Sequence, residues 1–157
     1  MIEFRPLTEE DLHLLREWLE REHVRLWWRD PIEHELAHDP TGRFAILVDG
    51  RPAGMIQTYL VADHPDWGAI VGMEPGLAGV DLLIGEEDLI GRGLGPQVLA
   101  QFARTVVFSM AGSSAVVATV EEDNRRSWRA FEKAGFRHVR DVEEDGRPHR
   151  LMRLDRD

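Results

Sequence analysis

No cysteine occurs among the 157 residues, so a disulfide framework, a thiol nucleophile and a cysteine-ligated zinc site are all excluded. There is no apolar run long enough to span a bilayer. The opening Met1-Ile2-Glu3-Phe4-Arg5 has no signal-peptide pattern, and a cytoplasmic protein is expected. Basic residues are in deficit: 19 Lys and Arg stand against 29 Asp and Glu, a net charge of −10. That balance argues against nucleic acid or an anionic membrane as the main partner. It suits a cationic substrate drawn to an acidic cleft, and equally a surface charged for solubility. Repeats, low-complexity tracts and linkers are missing as well. What remains is one domain, 43% hydrophobic and 31% charged, with enough chain to bury a core.

Two nucleotide fingerprints are also missing. The stretch Asp88-Leu89-Ile90-Gly91-Arg92-Gly93-Leu94-Gly95-Pro96 puts Pro96 where the dinucleotide motif needs its last glycine, and it lacks the Gly-Lys-Ser/Thr of a Walker loop. It follows the apolar run Val80 to Ile84 and precedes Val98 to Ala103, which has helical spacing. Strand, glycine turn and helix therefore come in that order. Alternating glycines let several N–H groups converge on one anion, and the helix adds the positive end of its dipole. The plain alternative is a tight strand-to-helix turn.

Elsewhere, Ile2 to Pro6 alternates as a strand, and Thr8 with Glu10 and Asp11 opens a helix carrying the apolar stripe Leu12, Leu15, Trp18 and Leu19. Trp27 and Trp28 are adjacent, so both cannot face one core, and at least one lines a surface or cleft. Arg43 to Val48 and Arg51 to Val61 form a hairpin about Asp49-Gly50. Ala62 to Gly76 reads as a loop. Leu77 to Ile84 and Ala115 to Val120 are strands, Asn124 to Ala134 is a helix stopped by Gly135, and Phe136 to Val142 pairs with Arg147 to Leu154 around Asp145-Gly146. The expected class is α/β with a mixed sheet.

The segment Asp81 to Pro96, followed by Asn124 to Phe136 with its Glu132-Lys133-Ala134-Gly135-Phe136 ending, resembles the GCN5-related N-acetyltransferase (GNAT) superfamily. Within it the chain is similar to aminoglycoside 6′-N-acetyltransferases. The matching pieces are Leu7 to Leu12, Glu17-Trp18-Leu19, Val24 to Trp28, Gln57-Thr58-Tyr59, Gly79-Val80-Asp81 and Asp145-Gly146. The resemblance implies one GNAT domain over residues 1–157, with helices on both faces of a single mixed sheet and a splayed central strand pair.

It also implies acetyl transfer from acetyl-CoA, a cosubstrate, to a primary amine, without a metal and in a monomer or homodimer. Backbone groups of Leu82, Leu83 and Ile84 would hold the pantetheine arm. An N–H of Leu82 or Leu83 would polarise the thioester carbonyl, an effect worth about 3 kcal/mol. Arg92, Gly93, Leu94 and Gly95 would bind the pyrophosphate, and Asn124 would reach CoA from its helix start. Asp81 would orient the amine and take its proton. Asp66, Glu74 and Asp145 would hold other ammonium groups, and Trp28, Tyr59 and Trp67 would line the acceptor.

Two departures stand out. Ile90 replaces the usual Arg or Gln, and Phe131 stands where a Tyr often protonates the leaving thiolate. Phenylalanine has no proton to give. Three rival readings follow. One is acylation of hydroxylysine-type siderophore precursors or polyamines, because the chain is shortened between Arg29 and Arg43. Another is a non-catalytic CoA-binding sensor, favoured by Phe131. The third is a zinc hydrolase using His34, Glu35 and His38 of His-Glu-x-x-His, weakened by Asp39-Pro40 immediately after it.

Overall fold

The computed structural model describes residues 1–28 and 42–157. Strands β1 (Ile2–Pro6), β2 (Arg43–Val48), β3 (Arg51–Leu60), β4 (Leu77–Ile84), β5 (Ala115–Glu121), β6 (Arg137–Glu144) and β7 (Arg147–Asp155) form one sheet in the order β1-β2-β3-β4-β5-β7-β6. The class is α/β: β4 and β5 pair in parallel, while β1–β2, β2–β3, β5–β7 and β6–β7 pair antiparallel. Helices α1 (Leu12–Glu20), α2 (Glu22–Arg25), α3 (Pro65–Val71), α4 (Leu94–Phe102) and α5 (Arg125–Lys133) lie between the strands in sequence. The described chain falls into two compact units, residues 1–57 with 81–92 and residues 58–80 with 93–157.

In the first unit the β2–β3 hairpin turns on Asp49 and Gly50, both at positive φ (51° and 83°), as a two-residue turn matched to strand twist requires. The β3 strand carries a bulge: Ile46 pairs with Gly54 but Leu47 pairs with Pro52. The residue left over, Ala53, turns its carbonyl to the N–H groups of Gly85 (2.8 Å) and Glu86 (3.3 Å). A proline next to a bulge is tolerated because no ladder N–H is needed there. The stripe on α1 does what its spacing predicts. Leu15 and Trp18 are buried with Val24, Met55 and Leu83, and Leu12, Leu19 and Trp28 pack around them. Trp27 stays 37% exposed, so the Trp pair does divide between core and surface.

A polar clamp fixes the start of α1. The Asp11 carboxylate accepts the Thr8 N–H at 2.8 Å and both Arg5 Nη groups at 2.9 Å. The Arg5 hydrogen bonds are the main reason its carboxyl sits below the ordinary carboxylate range. A depressed folded-state pKa adds stability that is full above the unfolded value, about 4, and is lost as pH falls through the folded one. The expected result is a melting temperature that drops as pH is lowered below about 4. The drop should be shallower in Asp11→Asn, and equal slopes in the two proteins would remove Asp11 as a source.

The second unit corrects one expectation. Residues 62–76 are not a plain loop: a 3-10 turn at Val61–Asp63 leads into α3. Pro65 occupies the first helical turn, where its missing N–H does no harm, and Asp66 faces the positive end of the dipole. Val61, Val71, Leu77, Ala115, Val117 and Leu151 make the core, with Trp67, Ile70, Val139 and Val142 against it. β5 is buried along most of its length, as its run of small and β-branched residues requires. The edge strand β6 is largely exposed and charged, which discourages pairing with another chain.

Candidate functional site

The parallel ladder between β4 and β5 covers only Leu77–Gly79 against Ala115–Val117, while β4 itself runs on to Ile84. A short 3-10 turn, Glu87–Leu89, then leads through extended Ile90 (φ −75°, ψ 142°). Gly91 and Gly93 follow at φ 78° and 76°. Both have open space around a notional Cβ, the nearest neighbour of either being Gln97 Nε2 at 4.0 Å from that of Gly93. The left-handed backbone, and not crowding, is what demands glycine there. Gly93 caps α4 and has no side chain to satisfy the first-turn N–H groups. Pro96 removes one donor, leaving those of Leu94 and Gly95 at the dipole's positive end. Gly95 has a different reason to be glycine. Its Cβ would stand 3.3 Å from Ala130 Cβ, so it lets α5 approach α4.

Ion pairs fix the lead-in. Arg51 makes two 3.2 Å hydrogen bonds to Asp88, and Arg21 reaches Glu86 at 2.7 Å and the Gly85 carbonyl at 2.8 Å. The Arg21 hydrogen bond holds the Glu86 carboxyl below its ordinary range. Arg92 is exposed on the turn.

Within the first unit, Asp81 lies half-buried on β4 and its Oδ2 accepts a 2.9 Å hydrogen bond from Gln57 Nε2. Gln57 Oε1 in turn accepts from Arg43 Nε at 3.2 Å. Arg43 is only 4% exposed and is the direct cross-strand partner of Gln57. Leu82 is half-buried, and the Leu83 side chain belongs to the core, so only Leu83's main chain can face a ligand. The Ile84 carbonyl lies 3.1 Å from His23 Nε2. Trp28 packs against the Leu15–Trp18 core.

Within the second unit, Tyr59 and Trp67 do come together. Their rings are 5.6 Å apart, His64 meets Tyr59 edge-on at 5.0 Å, and Trp67 Nε1 donates to Thr119 Oγ1 at 3.2 Å. Gly79 underlies both aromatics: its Cβ would be 2.5 Å from the Tyr59 ring and 2.9 Å from that of Trp67. Glu74 is occupied by Arg153, which reaches its two oxygens at 2.6 and 2.8 Å and lowers its pKa. Asp66 is exposed in the first turn of α3. Asp145 is exposed at the β6–β7 turn with φ 53°, where its conformation serves the hairpin. Asn124 caps α5 through its carbonyl, to Ser127 N–H (3.1 Å) and Trp128 N–H (3.2 Å), and not through its side chain.

Phe131 has a structural role. α5 ends with Gly135 N–H on the Glu132 carbonyl and Phe136 N–H on the Phe131 carbonyl, both at 3.0 Å, with Gly135 at φ 104°. This is the paired closure of a left-handed helix end, and its usual apolar contact is the edge-on Phe131–Phe136 pair, 4.9 Å apart. Phe131 is 3% exposed. The motif His34-Glu35-Leu36-Ala37-His38 lies outside the described residues.

The chain matches the profile of the acetyltransferase (GNAT) domain family over residues 8–144. It is 26% identical to the aminoglycoside N(6′)-acetyltransferase type 1 of Klebsiella pneumoniae, covering 86% of this chain and 73% of that one, and equally to its counterpart from Serratia marcescens. Among solved structures it is similar to the aminoglycoside acetyltransferase AAC(6′)-Ib in complex with coenzyme A and kanamycin (TM-score 0.87, 26% identity, 99% of this chain and 95% of that one). The complex of the same enzyme with ribostamycin and coenzyme A gives a TM-score of 0.88 at 26% identity, over 99% and 93% of the two chains.

Proposed function

This chain belongs to the GNAT acetyltransferase family, and on that premise we propose that it transfers an acetyl group from acetyl-CoA to the 6′-amine of an aminoglycoside in the cytoplasm, where acetyl-CoA is made. The observation that carries the reading is the uncapped start of α4 behind two left-handed glycines. It suits a pyrophosphate because it pairs unspent N–H donors with a helix dipole. Acetyl-CoA supplies the acyl group already activated as a thioester. Gly93, Leu94 and Gly95 would hold the diphosphate, with Arg92 at the rim and Asn124 beside it. The β4 main chain from Leu82 to Ile84, beyond the end of the β5 ladder, would receive the pantetheine arm and donate an N–H to the carbonyl oxygen as negative charge grows there.

Asp81 orients the attacking amine and removes its proton, directly or through water. Tyr59 and Trp67 offer ring faces and edges to a cationic sugar. No side chain is assigned as acid. Phe131 serves the end of α5, and a CoA thiolate leaves without prior protonation more readily than an alkoxide would.

The test is release of CoA thiol from acetyl-CoA with kanamycin and ribostamycin, compared with spermidine and N6-hydroxylysine. Turnover with the aminoglycosides, and a product acetylated at the 6′-amine by NMR, is expected. Turnover restricted to hydroxylysine or spermidine would replace the acceptor, and CoA binding without turnover would make the protein a sensor.

A further inference from the structure

We infer that Gln57, locked by the buried guanidinium of Arg43, is a positioning residue that fixes the Asp81 carboxylate for proton removal from the acceptor amine. The inference rests on the proposed acetyl transfer and adds a residue to it. Three strands contribute one group each: Arg43 from β2, Gln57 from β3 and Asp81 from β4.

A glutamine side chain can turn either its oxygen or its nitrogen toward a neighbour, and the two ends differ only in hydrogen-bonding character. Arg43 removes that freedom. Its Nε–H can only donate, so the amide must show its oxygen to Arg43 at 3.2 Å, which leaves Nε2 to donate to Asp81 Oδ2 at 2.9 Å. A donor aimed at one carboxylate oxygen holds the plane of the group and favours its ionised form. Because Arg43 is buried, its charge polarises the amide with little screening from solvent. A carboxylate held in one orientation abstracts a proton from an amine delivered along one direction.

Gln57 sits directly opposite Arg43 in the β2–β3 ladder only because of the bulge at Ala53. An unbulged count from the turn, with Val48 opposite Arg51, would place Ile56 there and send Gln57 to the other face. The bulge thus brings the amide into the row.

The experiment is a double-mutant cycle with kanamycin, read as single-turnover acetyl transfer at saturating acetyl-CoA, using Gln57→Leu, Asp81→Asn and the pair. The expected result is a fall of about tenfold for Gln57→Leu, mostly in the rate and not in KM. That fall should shrink to less than about twofold once Asp81 is already Asn. Gln57→Asn keeps the amide but is one methylene short, and should resemble Gln57→Leu. CoA affinity and melting temperature of each variant serve as folding controls. Equal losses in both backgrounds, or a Gln57→Leu protein as fast as the original, overturn the inference while leaving acetyl transfer intact. No transfer by the unmodified protein would instead overturn the reading beneath it.

Discussion

Asp81→Asn is expected to lower kcat/KM for acetylation of kanamycin by about 10²- to 10³-fold, within the range for loss of a general base. Two features of Asp81's surroundings make the substitution clean. Asparagine has nearly the same shape, and its carbonyl can still accept the Gln57 hydrogen bond that Asp81 Oδ2 accepts at 2.9 Å. The fold around β4 should therefore persist. What disappears is a negative charge and, with it, the oxygen proposed to take the proton of the acceptor amine. CoA affinity is expected to change less than about twofold, because the donors proposed for the diphosphate are main-chain groups of another segment. A loss below about threefold in kcat/KM would take the base away from Asp81. A parallel loss of CoA binding would mean that the substitution had disturbed β4 instead.

Much of this arrangement is legible in the chain. Asp49-Gly50 and Asp145-Gly146 announce hairpins because only a few residue types tolerate consecutive positive φ angles, and all four have them. The glycine turn is legible for the same reason. What the chain conceals depends on partners far away in sequence. α3 reads as a loop because His64, Pro65, Gly68 and Gly72 are all helix-unfriendly. Yet Gly68 is there to let Met73 and Val61 close on the helix, a contact no local pattern reports. Gln57 falls within a matching stretch but carries no visible duty, because its duty depends on a one-residue bulge. Glu74 and Asp145 look like free acids in the sequence. One turns out to be held by Arg153, and the other is placed by its turn. Phe131 looks like a lost acid until its place at the end of α5 is seen.

Gly54→Ala should produce the largest loss of stability, about 3 kcal/mol, near the upper end for overpacking. Its φ is not the reason. A Cβ at this position would overlap the Leu83 carbonyl oxygen and lie 3.0 Å from Ile84 Cα. Side chains at the end of a flexible stem could move aside, but these are main-chain atoms in β4. Relief therefore requires separating β3 from β4 at Gly54, just beside the Ala53 carbonyl that holds Gly85 and Glu86. For a chain of this size the melting temperature is expected to fall by roughly 10 °C.

The same shift should reach function, because Leu83 and Ile84 belong to the strand proposed to receive the pantetheine arm. CoA affinity is then expected to weaken by about tenfold at temperatures where the variant is fully folded. Gly50→Ala separates the two causes. That site has positive φ and open space around it, so alanine should cost about 1 kcal/mol of backbone strain and leave CoA affinity unchanged. If Gly54→Ala melts with the original protein, the β3–β4 approach is looser than its contacts imply. If it is unstable but binds CoA normally, the main chain at Leu83 and Ile84 is not where the cofactor arm lies.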